Sequence, residues 1–222
     1  DAKPTPALFE LHDAKKKTTD LFLPRGKVAV LASEGGLGKS LIALHLGVSL
    51  ALDKPTSLKS WCGEPLKPMP TSGKVVLLYA EEDKETCLYR LRQQLAGGTG
   101  RVDPDLIEQL NGRLIPVPLS TTDRDVDNNL GLSDSIRSKE YGAEERRERL
   151  FNSLEKVAGK DGIDLIVIGP LAQFGGSDFE NDNGEASRLM RHLQQLTSIK
   201  GNPTVLIVHH SAKSNSKTPS KL

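Results

Sequence analysis

Short, nearly unbroken runs of Val, Ile and Leu alternate along the chain with longer stretches in which apolar residues recur every three or four positions. The short runs are "GKVAVLAS", "GKVVLLYAEE", "GRLIPVPL", "IDLIVIGPLAQF" and "NPTVLIVHH", and they predict five buried strands. The longer stretches "GKSLIALHLGVSLAL", "KETCLYRLRQQLA" and "NGEASRLMRHLQQLTS" predict helices. In the second, Leu88, Leu91 and Leu95 share one stripe; in the third, Leu189, Leu193 and Leu196 turn inward. Strand and helix alternate, which predicts an α/β fold with a mostly parallel sheet and helices on both faces.

Three stretches lack this alternation. Residues 1–24 are polar, bear Pro and carry "KKK" at 15–17, and are expected as an N-terminal arm ahead of a core spanning 25–213. A Pro-, Lys- and Ser-rich loop is expected over 53–73. Between the third and fourth strands the connection is too long for an ordinary loop; it predicts a mobile segment over about 120–142 that ends in a charged helix, with Lys139 to Arg149 as a solvated face. Residues 214–222 read as a basic loop or a truncated C-terminal region. No internal repeat is present.

Composition adds limits. The 222 residues are 36% hydrophobic and only 4% aromatic, so the core must be built from Leu, Val, Ile and Ala. Thirty basic and 29 acidic residues give a formal charge of +1, so any nucleic-acid contact must be local. Cys62 and Cys87 have no metal-like spacing and no secretory leader stands ahead of them, so a reducing, cytoplasmic setting is expected. No apolar run reaches the ~18 residues that a membrane span requires.

The candidate chemistry lies first in "VAVLASEGGLGKSLIALHL", where a glycine-rich turn joins a predicted strand to a predicted helix. Gly35, Gly36 and Gly38 let successive backbone amides face one anion, and the helix start adds partial positive charge. Lys39 is expected to reach the β- and γ-phosphates of a nucleoside triphosphate, and Ser40 to ligate Mg²⁺. Ser33, where such loops usually have a first Gly, Glu34, Leu37 and Leu41 complete the expected binding segment. A plain strand-to-helix turn with a solvated Lys is the competing reading.

The fourth strand raises a difficulty. Strands of this kind commonly end in an Asp that supports the metal, but "IDLIVIGP" ends in Gly169 and Pro170. Asp164 cannot serve, because five residues of strand place it about 16 Å back. Glu81 and Glu82 end the second strand, and Asp178 and Glu180 follow Gly169; position alone does not choose between them. Glu81 in "LLYAEED" fits a residue that orients water for attack, against an exposed acidic turn as the alternative.

"LPRGKVAVLASEGGLGKSLIALHL", "GKVVLLYAEEDKETCLYRLRQQL", "IDLIVIGPLAQF" and "VLIVHHSAK" together resemble the AAA_25 group of RecA-fold ATPases, whose RepA-type members are hexameric helicases of plasmid replication. The likeness spans residues 23–213 and implies a RecA-like P-loop fold. It implies ATP and Mg²⁺ as ligands, Glu81 as catalytic base, and Arg90 against the adenine. It also implies His209 and His210 as sensors of the γ-phosphate and Lys213 at the start of a loop facing DNA. Lys217 follows Lys213 in "SAKSNSKTPSKL", which carries no acid. Gly169 departs from the family's usual Asp, so weakened metal binding is expected, and an Asp restored there should lower the Mg²⁺ requirement.

The expected activity is therefore ATP hydrolysis by a ring-forming homo-oligomer, a DNA helicase or single-stranded-DNA translocase in the replication of a plasmid or other mobile element. Two alternatives stand beside it. A nucleotide-binding scaffold that no longer hydrolyses would suit Gly169. A partitioning-type regulatory ATPase would suit "EGGLGKS", but the Lys that marks that class is Glu34 here.

Overall fold

A computed structural model describes residues 6–13, 16–52, 60–61, 64–79, 82–96, 100–118, 142–170 and 183–210. The segment expected as an arm is instead a hairpin: β1 (Ala7–Asp13) pairs antiparallel with β2 (Thr18–Pro24). Leu8 and Phe9 are fully buried and the Phe9 and Phe22 rings lie 6.3 Å apart, so apolar burial holds the hairpin against the body. The strand that follows is β3 (Val28–Ser33), which leads through the glycine-rich turn into α1 (Lys39–Ala51).

Within the stretch expected as a loop, β4 (Ser60–Trp61) and β5 (Glu64–Pro68) form a further hairpin. β5 also pairs with β1, giving a small antiparallel sheet in the order β2-β1-β5-β4. The chain then runs through β6 (Lys74–Tyr79), α2 (Lys84–Ala96), α3 (Pro104–Leu110) and β7 (Leu114–Pro118). It closes with α4 (Ala143–Ala158), β8 (Ile163–Gly169), α5 (Asn183–Leu196) and β9 (Thr204–His210). The mobile segment expected over 120–142 lies, but for Gly142, outside the described residues.

The five expected strands make one parallel sheet in the order β3-β9-β8-β6-β7. Every residue of β8 is buried, because both sheet faces are covered. On one face Val75, Leu77, Leu165, Val167, Leu206 and Val208 meet α1, the β1–β2 hairpin and the inner sides of α2 and α3. On the other, Val76, Leu78, Ile166, Ile168, Val205 and Ile207 meet Leu150 and Leu154 of α4 and the expected stripe Leu189, Leu193 and Leu196 of α5. β3 has a strand neighbour on one side only among the described residues, and its Val30 is 59% exposed.

α1 is apolar nearly all round, as suits a helix enclosed between the main sheet and a second layer. At Gly47 it comes so close to the sheet that a methyl group would stand 3.1 Å from Leu77 and 3.2 Å from Val75. This close approach fixes where the helix starts, and with it the glycine-rich turn at the carboxyl end of β3. The opposite, amino end of the sheet is tied to the hairpin. The Gly26 amide donates to Asn202 O at 2.9 Å, the Thr204 hydroxyl to Pro24 O at 2.9 Å, and Arg25 Nη1 to Asp164 Oδ1 at 2.6 Å. No helix among the described residues is long and apolar enough to cross a membrane.

Candidate nucleotide site

The turn between Ser33 and Lys39 owes its shape to two glycines with positive φ, Gly36 at 78° and Gly38 at 77°, a region that side chains disfavour. Gly38 is also the N-cap of α1. It offers no side chain to the first amides of the helix, and the first turn carries no acid. The start of α1 therefore keeps its partial positive charge for an outside anion.

Lys39 sits in the middle of this cradle, only 4% exposed. A buried ammonium must be hydrogen-bonded, and its Nζ donates to Ser33 O at 2.8 Å, Ser33 Oγ at 3.0 Å and Glu34 O at 2.6 Å. The Lys thus reaches back over the loop that a phosphate chain would occupy. Ser40 is half-buried in the first turn of α1, while Glu34, Leu37 and Leu41 are exposed around it. This donor set fits a triphosphate. Among the described residues no group of three or more His, Cys, Asp or Glu side chains is placed to hold a metal.

β9 borders the loop. Ser33 and His210 are paired in register, and the His210 ring places Nδ1 3.9 Å from where a side chain on Gly35 would begin. Residues alternate faces along a strand, so His210 shares the face of Leu206 and Val208, the α1 side, whereas His209 falls with Val205 and Ile207 on the other. The structure brings His210 to the loop and separates His209 from it. Strand parity in "VLIVHH" carried that distinction, and the paired-His resemblance obscured it.

Gly169 pairs in register with Tyr79 at the carboxyl ends of β8 and β6. A Cβ there would lie 2.9 Å from Val208 Cβ, closer than such atoms pack, so the position has no room for the carboxylate that sequence reasoning expected to restore. Asp164, at the other end of β8, is 3% exposed and paired with Arg25, and plays no part in this site.

Glu82 follows β6 and is engaged by α2. Its carboxylate forms an ion pair with Arg90 and accepts from the Cys87 thiol at 3.8 Å. Sequence reasoning missed this contact, because a spacing of eight residues across a turn is not a helical repeat. Burial first, and then the Glu82 charge, push the Cys87 thiol up to about 12, so it stays neutral. Burial likewise pushes the Tyr79 hydroxyl well above its ordinary range. Glu81, Asp178, Glu180, Lys213 and Lys217 lie outside the described residues.

A five-stranded parallel sheet with helices on both faces, a glycine-rich loop at its carboxyl end and a Lys buried in that loop define a nucleotide-binding P-loop ATPase of RecA-like fold. The chain belongs to the AAA_25 family, described as an AAA domain, whose model matches residues 8–216. No curated protein matches the chain.

Proposed function

We propose that this domain is the ATP-hydrolysing part of a ring-forming motor that moves on single-stranded DNA, as a helicase or translocase. The observation that carries the reading is the contact of β9 with the loop. His210 stands beside Gly35, and the chain continues three residues later into Lys213 and then Lys217. A change at the γ-phosphate felt by His210 would bear on the basic segment that follows it in the chain. In this reading Lys39 and Ser40 hold ATP and Mg²⁺, Glu81 orients the attacking water, and Arg90 meets the adenine.

A second reading, a scaffold that binds nucleotide without turning it over, is favoured by the packing of Gly169 against Val208, which leaves the end of β8 without an acid. ATP turnover by the pure protein, with and without single-stranded DNA, decides between them. Turnover that rises with DNA, stops in Glu81→Gln and loses its DNA response in a Lys213→Ala, Lys217→Ala double variant supports the motor. The double variant should also lower the salt slope of DNA binding by about one to two units. Binding without turnover supports the scaffold, and turnover indifferent to DNA leaves an ATPase with another task.

A further inference from the structure

Helix α2 begins two residues after Glu82 and holds that side chain by both oxygens. Arg90 Nη1 pairs with Oε1, and the Cys87 thiol donates to Oε2 at 3.8 Å. Asp83 closes the turn: its Oδ1 accepts from the Thr86 amide at 2.7 Å and its carbonyl from the Cys87 amide at 3.0 Å. The Glu82 side chain is 13% exposed and that of Arg90 40%. The carboxylate therefore lies inside the turn, while the guanidinium reaches its surface.

This is not the arrangement of a solvated ion pair on one helix face, which contributes little. One partner sits on the turn and the other two helical turns further on, so the folded turn itself sets their geometry. A guanidinium is planar; its in-plane N–H groups can take the carboxylate while its faces remain for a flat ring. A carboxylate held in place by the Cys87 thiol at its other oxygen restricts where the guanidinium that pairs with it can lie.

We propose that Glu82 is a positioning residue that sets the plane of Arg90 for a nucleobase, and so contributes to ligand choice without touching the phosphates. This rests on the reading of Arg90 as the side chain that meets the adenine. Glu82 also follows Glu81 directly in sequence, so the ion pair engages the residue next to the proposed hydrolytic acid.

The test compares two ligands on the full chain by calorimetry: ATP, and inorganic tripolyphosphate, which has the phosphates and no base. Glu82→Gln is expected to weaken ATP binding about tenfold while tripolyphosphate binding stays within about twofold. Arg90→Lys, which keeps a cation for Glu82 but has no flat face, should give the same selective loss. Equal weakening of both ligands by Glu82→Gln, or no weakening of either, overturns the proposal. If Arg90→Lys is selective and Glu82→Gln is not, only the positioning role falls; if Arg90→Lys is not selective, the base contact itself falls and the proposal with it. Should Glu82→Gln fail to fold, Glu82→Asp, which keeps the charge and shortens the reach, carries the same comparison.

Discussion

Val208 Cβ stands 2.9 Å from the point where a side chain on Gly169 would begin, so two neighbouring strands meet there with no space for even a methyl group. Gly169→Ala should therefore destabilise the fold by about 1–3 kcal/mol through overpacking. Gly169→Asp should cost more, because it also places a carboxylate in a fully buried strand. Urea unfolding of both variants checks this. A Gly169→Asp protein as stable as the parent would show that β8 and β9 separate easily at their carboxyl ends.

Lys39 exchanges its loop acceptors for phosphate oxygens in the proposed complex. Lys39→Ala is expected to weaken ATP binding by about a hundredfold or more, the usual loss when one member of a buried charged pair is removed. Its effect on thermal stability should stay below about 1 kcal/mol, because Glu34 is exposed and Ser33 only half-buried, so water can replace the ammonium at their oxygens. Calorimetric titration and a melting curve on the same sample separate the two.

His210 and His209 should behave differently in spite of their adjacency. A hydrogen bond to a charged phosphate is worth enough that His210→Ala should lower turnover about ten- to hundredfold. His209→Ala, on the other sheet face, should leave turnover within about threefold. Steady-state kinetics on the two single variants provides the comparison, and equal losses would mean that β9 twists at its end.

Asp164 is a stability residue. Arg25 Nη1 donates to its Oδ1 at 2.6 Å and to Gly201 O at 3.2 Å, and a Cβ on Gly73 would lie 2.6 Å from Oδ2. Removing Arg25 leaves a carboxylate buried and uncompensated, so Arg25→Met should cost about 3 kcal/mol. ATP affinity should not change, because the pair lies at the end of the sheet away from the glycine-rich loop. Urea midpoints and binding measured together test both halves.

The main sheet was legible because its strands are buried on both faces, and such strands read as unbroken apolar runs. The glycine-rich turn was legible because its chemistry is contiguous in sequence. The β1–β2 hairpin was not: its burial rests on a few residues such as Leu8 and Phe9 among polar ones, and a partner strand, β5, some 40 residues on. Helix α3 carried a readable signal in "VDPD", where Asp103 caps the helix through the Asp105 amide and Pro104 takes the first position. The vacancy at Gly169 was visible as a missing Asp, but only Val208 on another strand shows that the space is missing too.

The ammonium of Lys39, held by three oxygens of its own loop, is never bare. Capture of a nucleotide is consequently an exchange of partners, and the net gain from this side chain is the difference between phosphate oxygens and carbonyl dipoles. A single inorganic anion covers only part of the loop, whereas a polyphosphate chain spans the glycine amides and the ammonium together. A polyphosphate therefore offsets more of the surrendered loop contacts than a small anion does, and the waiting state itself becomes part of the selectivity.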